Sequence, residues 1–125
     1  MGSILIVDDE FGIVEAIQDL LQDEGYATRS AFNGRQALDI LARERPLLVL
    51  LDDMMPVMDG QTLLSAMKRI PALSGIPVIM MSANRPDSWR ELTCAAFLAK
   101  PFNLMQLLTV VHRFAGPPPP KPEEG

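Results

Sequence analysis

Six side chains that can do chemistry stand where short apolar runs stop. Asp8 and Asp9 follow residues 4–7, Asp52 and Asp53 follow 47–51, Ser82 follows 77–81, and Lys100 comes just after 96–98. Three carboxylates gathered within a few ångströms repel one another unless a cation joins them. An all-oxygen donor set of that kind suits Mg2+, which binds through few protein groups and keeps several waters. A carboxylate nucleophile, a metal, a Lys to balance oxygen charge and a hydroxyl donor together suit phosphoryl transfer. No Gly-x-Gly-x-x-Gly and no other nucleotide-cradling loop follows any run, so the phosphoryl donor is expected from outside.

Whether these residues meet depends on the elements that carry them. Five consecutive apolar residues at 47–51, after Pro46, read as a strand covered on both faces. Pro56 and Asp59-Gly60 then enforce a loop, which pins Asp52 between a strand and a turn. Residues 4–7, 26–31, 77–81 and 96–98 read as four further strands. Ile13, Val14, Ile17, Leu20 and Leu21 recur at helical spacing until Gly25, a natural stop.

Asn33-Gly34 marks a turn into a second helix with Ala37, Leu38 and Leu41 on its apolar stripe. Leu63, Leu64, Met67 and Ile70 make a third, Pro86 starts a short fourth over 86–93, and Asn103 caps a fifth built on Leu104, Leu107, Leu108, Val111 and Phe114. This alternation implies an α/β fold: a doubly wound, flavodoxin-like, five-stranded parallel sheet with five helices. In the strand order 2-1-3-4-5, the ends of the first, third, fourth and fifth strands share one rim.

At 125 residues, 48% hydrophobic and 22% charged, the chain is expected to be one globular domain. No apolar run approaches the roughly 20 residues needed to span a bilayer, and no basic leader with a cleavage site opens the chain. A net charge of −5 argues against nucleic-acid binding. The lone Cys94 cannot form an intramolecular disulfide, which fits a reducing cytosol. The expectation is a cytoplasmic domain over residues 1–115 that binds neither membrane nor nucleic acid. Residues 116–125, with four successive prolines, form an extended tail or linker stub.

Four motifs in order, Val7-Asp8-Asp9-Glu10, Asp52 with Met55-Pro56 and Met58-Asp59-Gly60, Ser82-Ala83, and Lys100-Pro101-Phe102, resemble the receiver domain of two-component response regulators. The resemblance, to the chemotaxis-regulator type, covers residues 4–115. It implies that Asp52 accepts a phosphoryl group from a sensor histidine kinase or a phosphotransfer protein. It implies Mg2+ held by the side chains of Asp9 and Asp52, by Asp8 through water, and by the backbone carbonyl of Met54. Ser82 would hydrogen-bond the phosphoryl group, Lys100 would pair with it next to a cis Lys100–Pro101 peptide, and Phe97 would be the aromatic switch. A receiver of this kind is not an enzyme beyond its own phosphotransfer and dephosphorylation, whose rate Met54 and Asn84 would tune. Its downstream partner would be another protein or an output domain.

Three features depart from the family pattern. Asp53 stands where an apolar residue is usual, Phe97 replaces the commoner Tyr, and only seventeen residues separate Ser82 from Lys100. Strand alternation points Asp53 away from Asp52, although its charge still bears on ion affinity. The other two changes fall on the face used for dimerisation and output, so a weak or atypical dimer is expected. Asp53 and the short fourth helix favour an alternative, a phosphorylation-independent pseudo-receiver acting as a protein-interaction module; the complete acceptor, metal and Lys positions argue against it. A phosphate-ester hydrolase with an Asp nucleophile ranks last, for want of a substrate-covering domain. Met54, Met55 and Met58 read as packing, His112 as a surface residue of the final helix, and Cys94 as a small apolar filler.

Overall fold

All four residues of β1 (Ile4–Val7) are buried, because both faces of the strand are apolar and both meet a helical layer. The structure is a computed structural model that describes residues 2–83 and 94–118. Within them β1, β2 (Thr28–Ala31), β3 (Leu48–Asp52), β4 (Val78–Ser82) and β5 (Ala96–Ala99) pair in parallel in the order β2-β1-β3-β4-β5. This is the doubly wound order that the alternation predicts. The described helices are α1 (Phe11–Asp23), α2 (Gly34–Leu41), α3 (Gly60–Arg69) and α4 (Leu104–Ala115). The last is the helix expected as the fifth; the short one expected over 86–93 lies outside the described residues.

Two cores flank the sheet, and strand parity sorts side chains between them. Leu5, Val7, Val49, Leu51, Val78 and Met80 pack with Ala37 and Leu41 of α2 and with Leu63 and Met67 of α3. Ile4, Ile6, Leu48, Leu50, Ile79 and Met81 pack with Val14 and Ile17 of α1 and with Leu107 and Val111 of α4. Burial of this apolar surface, at about 25 cal/mol per Å2, is the main force holding the layers. The same parity carries Asp8 and Asp52 onward in the rows facing α1 and α4, and sends Asp53 to the other side.

Helix ends set the loops. Asn33, Asp59 and Asn103 cap α2, α3 and α4, accepting from the amides of Gln36, Thr62 and Gln106 at 2.9, 2.8 and 2.9 Å. Each cap stabilises by about 1 kcal/mol. At the end of α1, Gly25 takes φ 102°, and the amides of Gly25 and Tyr26 donate to the carbonyls of Gln22 and Leu21 at 3.0 and 2.9 Å. Tyr26 therefore belongs to the helix terminus, and β2 starts at Thr28 rather than at residue 26. No helix among the described residues is long and apolar enough to cross a membrane.

Candidate functional site

The register places the strand ends level: Val7 beside Leu51, Asp52 beside Met81, and Ser82 beside Ala99. Asp8, Asp52, Ser82 and Lys100 consequently stand along one rim, at the carboxyl ends of the strands. Asp8 is 0% exposed, Asp52 7% and Ser82 6%. Buried carboxylates need partners, and one cation serves both of these. Lys100 Nζ lies 2.9 Å from Asp8 Oδ2 and 3.0 Å from Asp52 Oδ1.

Backbone contacts hold that arrangement in place. The Lys100 amide donates to the Ser82 carbonyl at 2.9 Å, and the Lys100–Pro101 peptide is cis. Asp8 Oδ1 accepts from the Glu10 amide at 2.9 Å, which ties the β1–α1 loop to the buried acid. Across the site, Gly60 donates its amide to the Asp53 carbonyl at 2.9 Å, so the first turn of α3 braces the end of β3.

Electrostatics at the rim oppose one another. Burial pushes the Asp52 carboxyl above its ordinary pKa; the Lys100 hydrogen bond opposes this, and the charges of Asp8 and Asp9 reinforce it. Burial also works against the Lys100 ammonium, yet its hydrogen bonds to Asp8 and Asp52 prevail and raise its pKa. Asp9 is exposed, and with Asp8 and Asp52 it offers carboxylate oxygens within 4.8 Å of one another. Three hard oxygen donors, one of them open to solvent, fit a divalent cation that keeps part of its water. They do not suit a metal that seeks nitrogen or sulfur.

The loop after β3 departs in part from expectation. Met55 and Met58 pack against the core, but Met54 is 74% exposed. The chain has left the sheet there, and neither helical layer reaches its side chain. Asp53 donates its amide to the Met81 carbonyl at 3.1 Å, while its carboxylate accepts from Gln61 Nε2 at 3.2 Å. It stands apart from the acidic trio, although it shares an open groove with Asp9. Sequence reasoning assigned Gln61 nothing, since a glutamine in a first helical turn looks like any solvated position.

Phe97 is half-buried, packed on the α2 and α3 side of the sheet and bordering a groove with Asn103 and Met105. Cys94 is also half-buried there, and burial pushes its thiol pKa up. His112 is exposed on α4, its ring 6.0 Å from that of Tyr26. Asn84 lies outside the described residues.

Doubly wound domains with this strand order form a large class, which comparison with known proteins narrows to one family. The chain belongs to the response regulator receiver domains, whose family model matches residues 4–112. It is 42% identical over 115 residues to sporulation initiation phosphotransferase F of Bacillus subtilis, covering 89% of this chain and 91% of that one. Of several longer regulators that it also matches, the chain spans about half the length.

The fold is similar to that of chemotaxis protein CheY4 of Vibrio cholerae, with a TM-score of 0.85 at 29% identity, covering 91% of this chain and 98% of that one. It is also similar to the receiver domain of a sensor histidine kinase from Pseudomonas aeruginosa, with a TM-score of 0.84 at 26% identity, covering 93% and 99%. That receiver has a magnesium ion coordinated in its active-site cleft. The family places this chain in two-component signalling, where receiver domains act with histidine kinases, phosphotransfer proteins and output domains.

Proposed function

We propose that this receiver accepts a phosphoryl group onto Asp52 from the phosphohistidine of a sensor kinase or phosphotransfer protein, and thereby switches a partner-binding surface. The observation that carries the reading is the Lys100 ammonium, held 2.9 Å from Asp8 and 3.0 Å from Asp52 beside the exposed Asp9. In the transfer an Asp52 oxygen attacks phosphorus, the phosphorus–nitrogen bond of phosphohistidine breaks, and imidazole leaves with the electron pair. Lys100 is already in contact with Asp52 and follows the new oxygen charge. The Ser82 hydroxyl, one strand over, donates to another phosphoryl oxygen.

Asp9 and Asp52 through their side chains, Asp8 through water and Met54 through its carbonyl would hold Mg2+. Bound there, the ion supplies neutralisation of phosphoryl charge. Phosphorylation brings about −1.5 to −2 of charge to the rim and draws Ser82 and Lys100 toward it. Phe97 then carries the change to the β5–α4 face, biasing a two-state surface toward one partner. Hydrolysis by water, with Asp52 as leaving group, returns the resting state, and Met54 and Asn84 tune its rate. In this reading residues 1–115 are the working domain, 116–125 are a tail, and the protein acts in the cytoplasm.

Incubation with acetyl phosphate and Mg2+, followed by intact mass measurement, tests the reading. A phosphoryl-sized gain is expected, absent in Asp52→Asn and absent in excess chelator. No gain under conditions that label another receiver would overturn it, in favour of the phosphorylation-independent interaction module.

A further inference from the structure

Asp53 and Gln61 form a polar pair at the mouth of the site for which the transfer chemistry has no use. The main chain of Asp53 is fixed on both sides: its amide donates to the Met81 carbonyl at 3.1 Å, and its carbonyl accepts from Gly60 at 2.9 Å. Only side-chain rotation is left to it. Strand parity turns that side chain away from Asp52 and toward α3, where Gln61 Nε2 donates to Oδ1 at 3.2 Å. Gln61 is neutral, so the bond orients the carboxylate without cancelling its charge. The charge lines the same groove as Asp9, the exposed acid of the trio.

We propose that Gln61 tethers Asp53 as a non-ligating charge: the Asp53 charge strengthens Mg2+ binding by the trio, while the Gln61 bond keeps that carboxylate off the ion. The inference rests on the Mg2+ site of the proposed function. A fourth negative charge raises the repulsion that a divalent cation relieves, so affinity rises without any new ligand bond. A fourth carboxylate bound directly would instead take a position that the phosphoryl oxygens and water need. The tether separates these two effects.

Calorimetric titration of the whole chain with MgCl2 is the test, at low and at high NaCl. Asp53→Asn should weaken binding about three- to tenfold at low salt, and the loss should shrink as salt screens the groove. Its unfolding temperature in chelator should not fall, which separates the effect from a structural role. Gln61→Ala, which releases the carboxylate, should tighten binding at least about twofold. The double variant should then match Asp53→Asn alone. Unchanged affinity in Asp53→Asn, or a Gln61→Ala effect that persists without Asp53, overturns the tether in a chain that binds Mg2+. Absence of any binding by the parent chain overturns the metal site itself and this inference with it.

Discussion

A Cβ added to Gly60 would fall 2.3 Å from the carbonyl oxygen of Asp52. The start of α3 and the end of β3 thus meet backbone to backbone, and the opposing atom cannot rotate aside. Gly60→Ala must push the helix away from the strand or bend the strand that carries Asp52. We expect a loss of about 1–3 kcal/mol in urea unfolding. The labelling by acetyl phosphate that is proposed for Asp52 should slow at temperatures where the variant remains folded. A variant as stable as the parent would show that the two elements separate freely.

The raised pKa of Asp52 means that its ionised carboxyl is expected to work against the fold at neutral pH. Burial raises its pKa above the ordinary 3.8, the bond to Lys100 opposes this, and Asp8 and Asp9 add to it. A group with a raised folded pKa contributes stability that is full below the unfolded pKa and is lost as pH rises through the folded one. Asp52→Asn removes the charge and should raise the unfolding temperature in chelator at pH 7 by about 2–5 °C. The difference should narrow as pH falls toward 3.8, where the parent carboxyl is protonated. Calorimetric scans across that range check it; a variant less stable at pH 7 contradicts the sign.

The strand order and the shared rim were legible because the central strands are apolar at both parities and helical spacing follows them. A common doubly wound order then collects Asp8, Asp52, Ser82 and Lys100 along one edge. Strand ends were less legible. Residues 26–31 carry strand-like types, but Gly25 draws Tyr26 into the terminus of α1. Met54 has the composition of packing material, yet exposure depends on which layer the loop meets, and that is a tertiary fact. The bond from Gln61 to Asp53 and the backbone of Val57 left no sequence signal at all. Position alone brings Ser82 to the rim and Phe97 to β5 without separating a working role from a packing one.

Tyr26 ties the two ends of the α1 and α4 layer together. Its ring is buried in that core, and its hydroxyl donates to the Gly116 carbonyl at 2.6 Å, where α4 ends. Tyr26→Phe should cost about 0.5–1.5 kcal/mol, the net worth of one such bond. Burial, and then the charge of Glu24, raise the phenol pKa above the ordinary 10.0. The contribution is therefore full below that pH and lost as pH climbs through the folded value. Urea midpoints for parent and variant should differ at pH 8 and converge above 10.0. A gap that stays constant into strong alkali would show that the hydroxyl is not the source.

Val57 holds φ 68° at the centre of a three-residue turn closed by the Met58 amide on the Pro56 carbonyl at 2.7 Å. A β-branched side chain at positive φ crowds its own backbone and costs about 1–3 kcal/mol. At 82% exposure Val57 gains nothing from burial in return. Glycine adopts this conformation without crowding, while its greater freedom in the unfolded chain offsets about 0.5–1 kcal/mol of the relief. Val57→Gly should therefore stabilise the domain by about 1 kcal/mol in urea unfolding. Val57→Pro should act in the opposite sense, because its ring fixes φ near −65° and the turn cannot close. Equal effects from the two substitutions would mean that the loop relaxes independently of this turn, whereas opposite signs locate the strain at Val57.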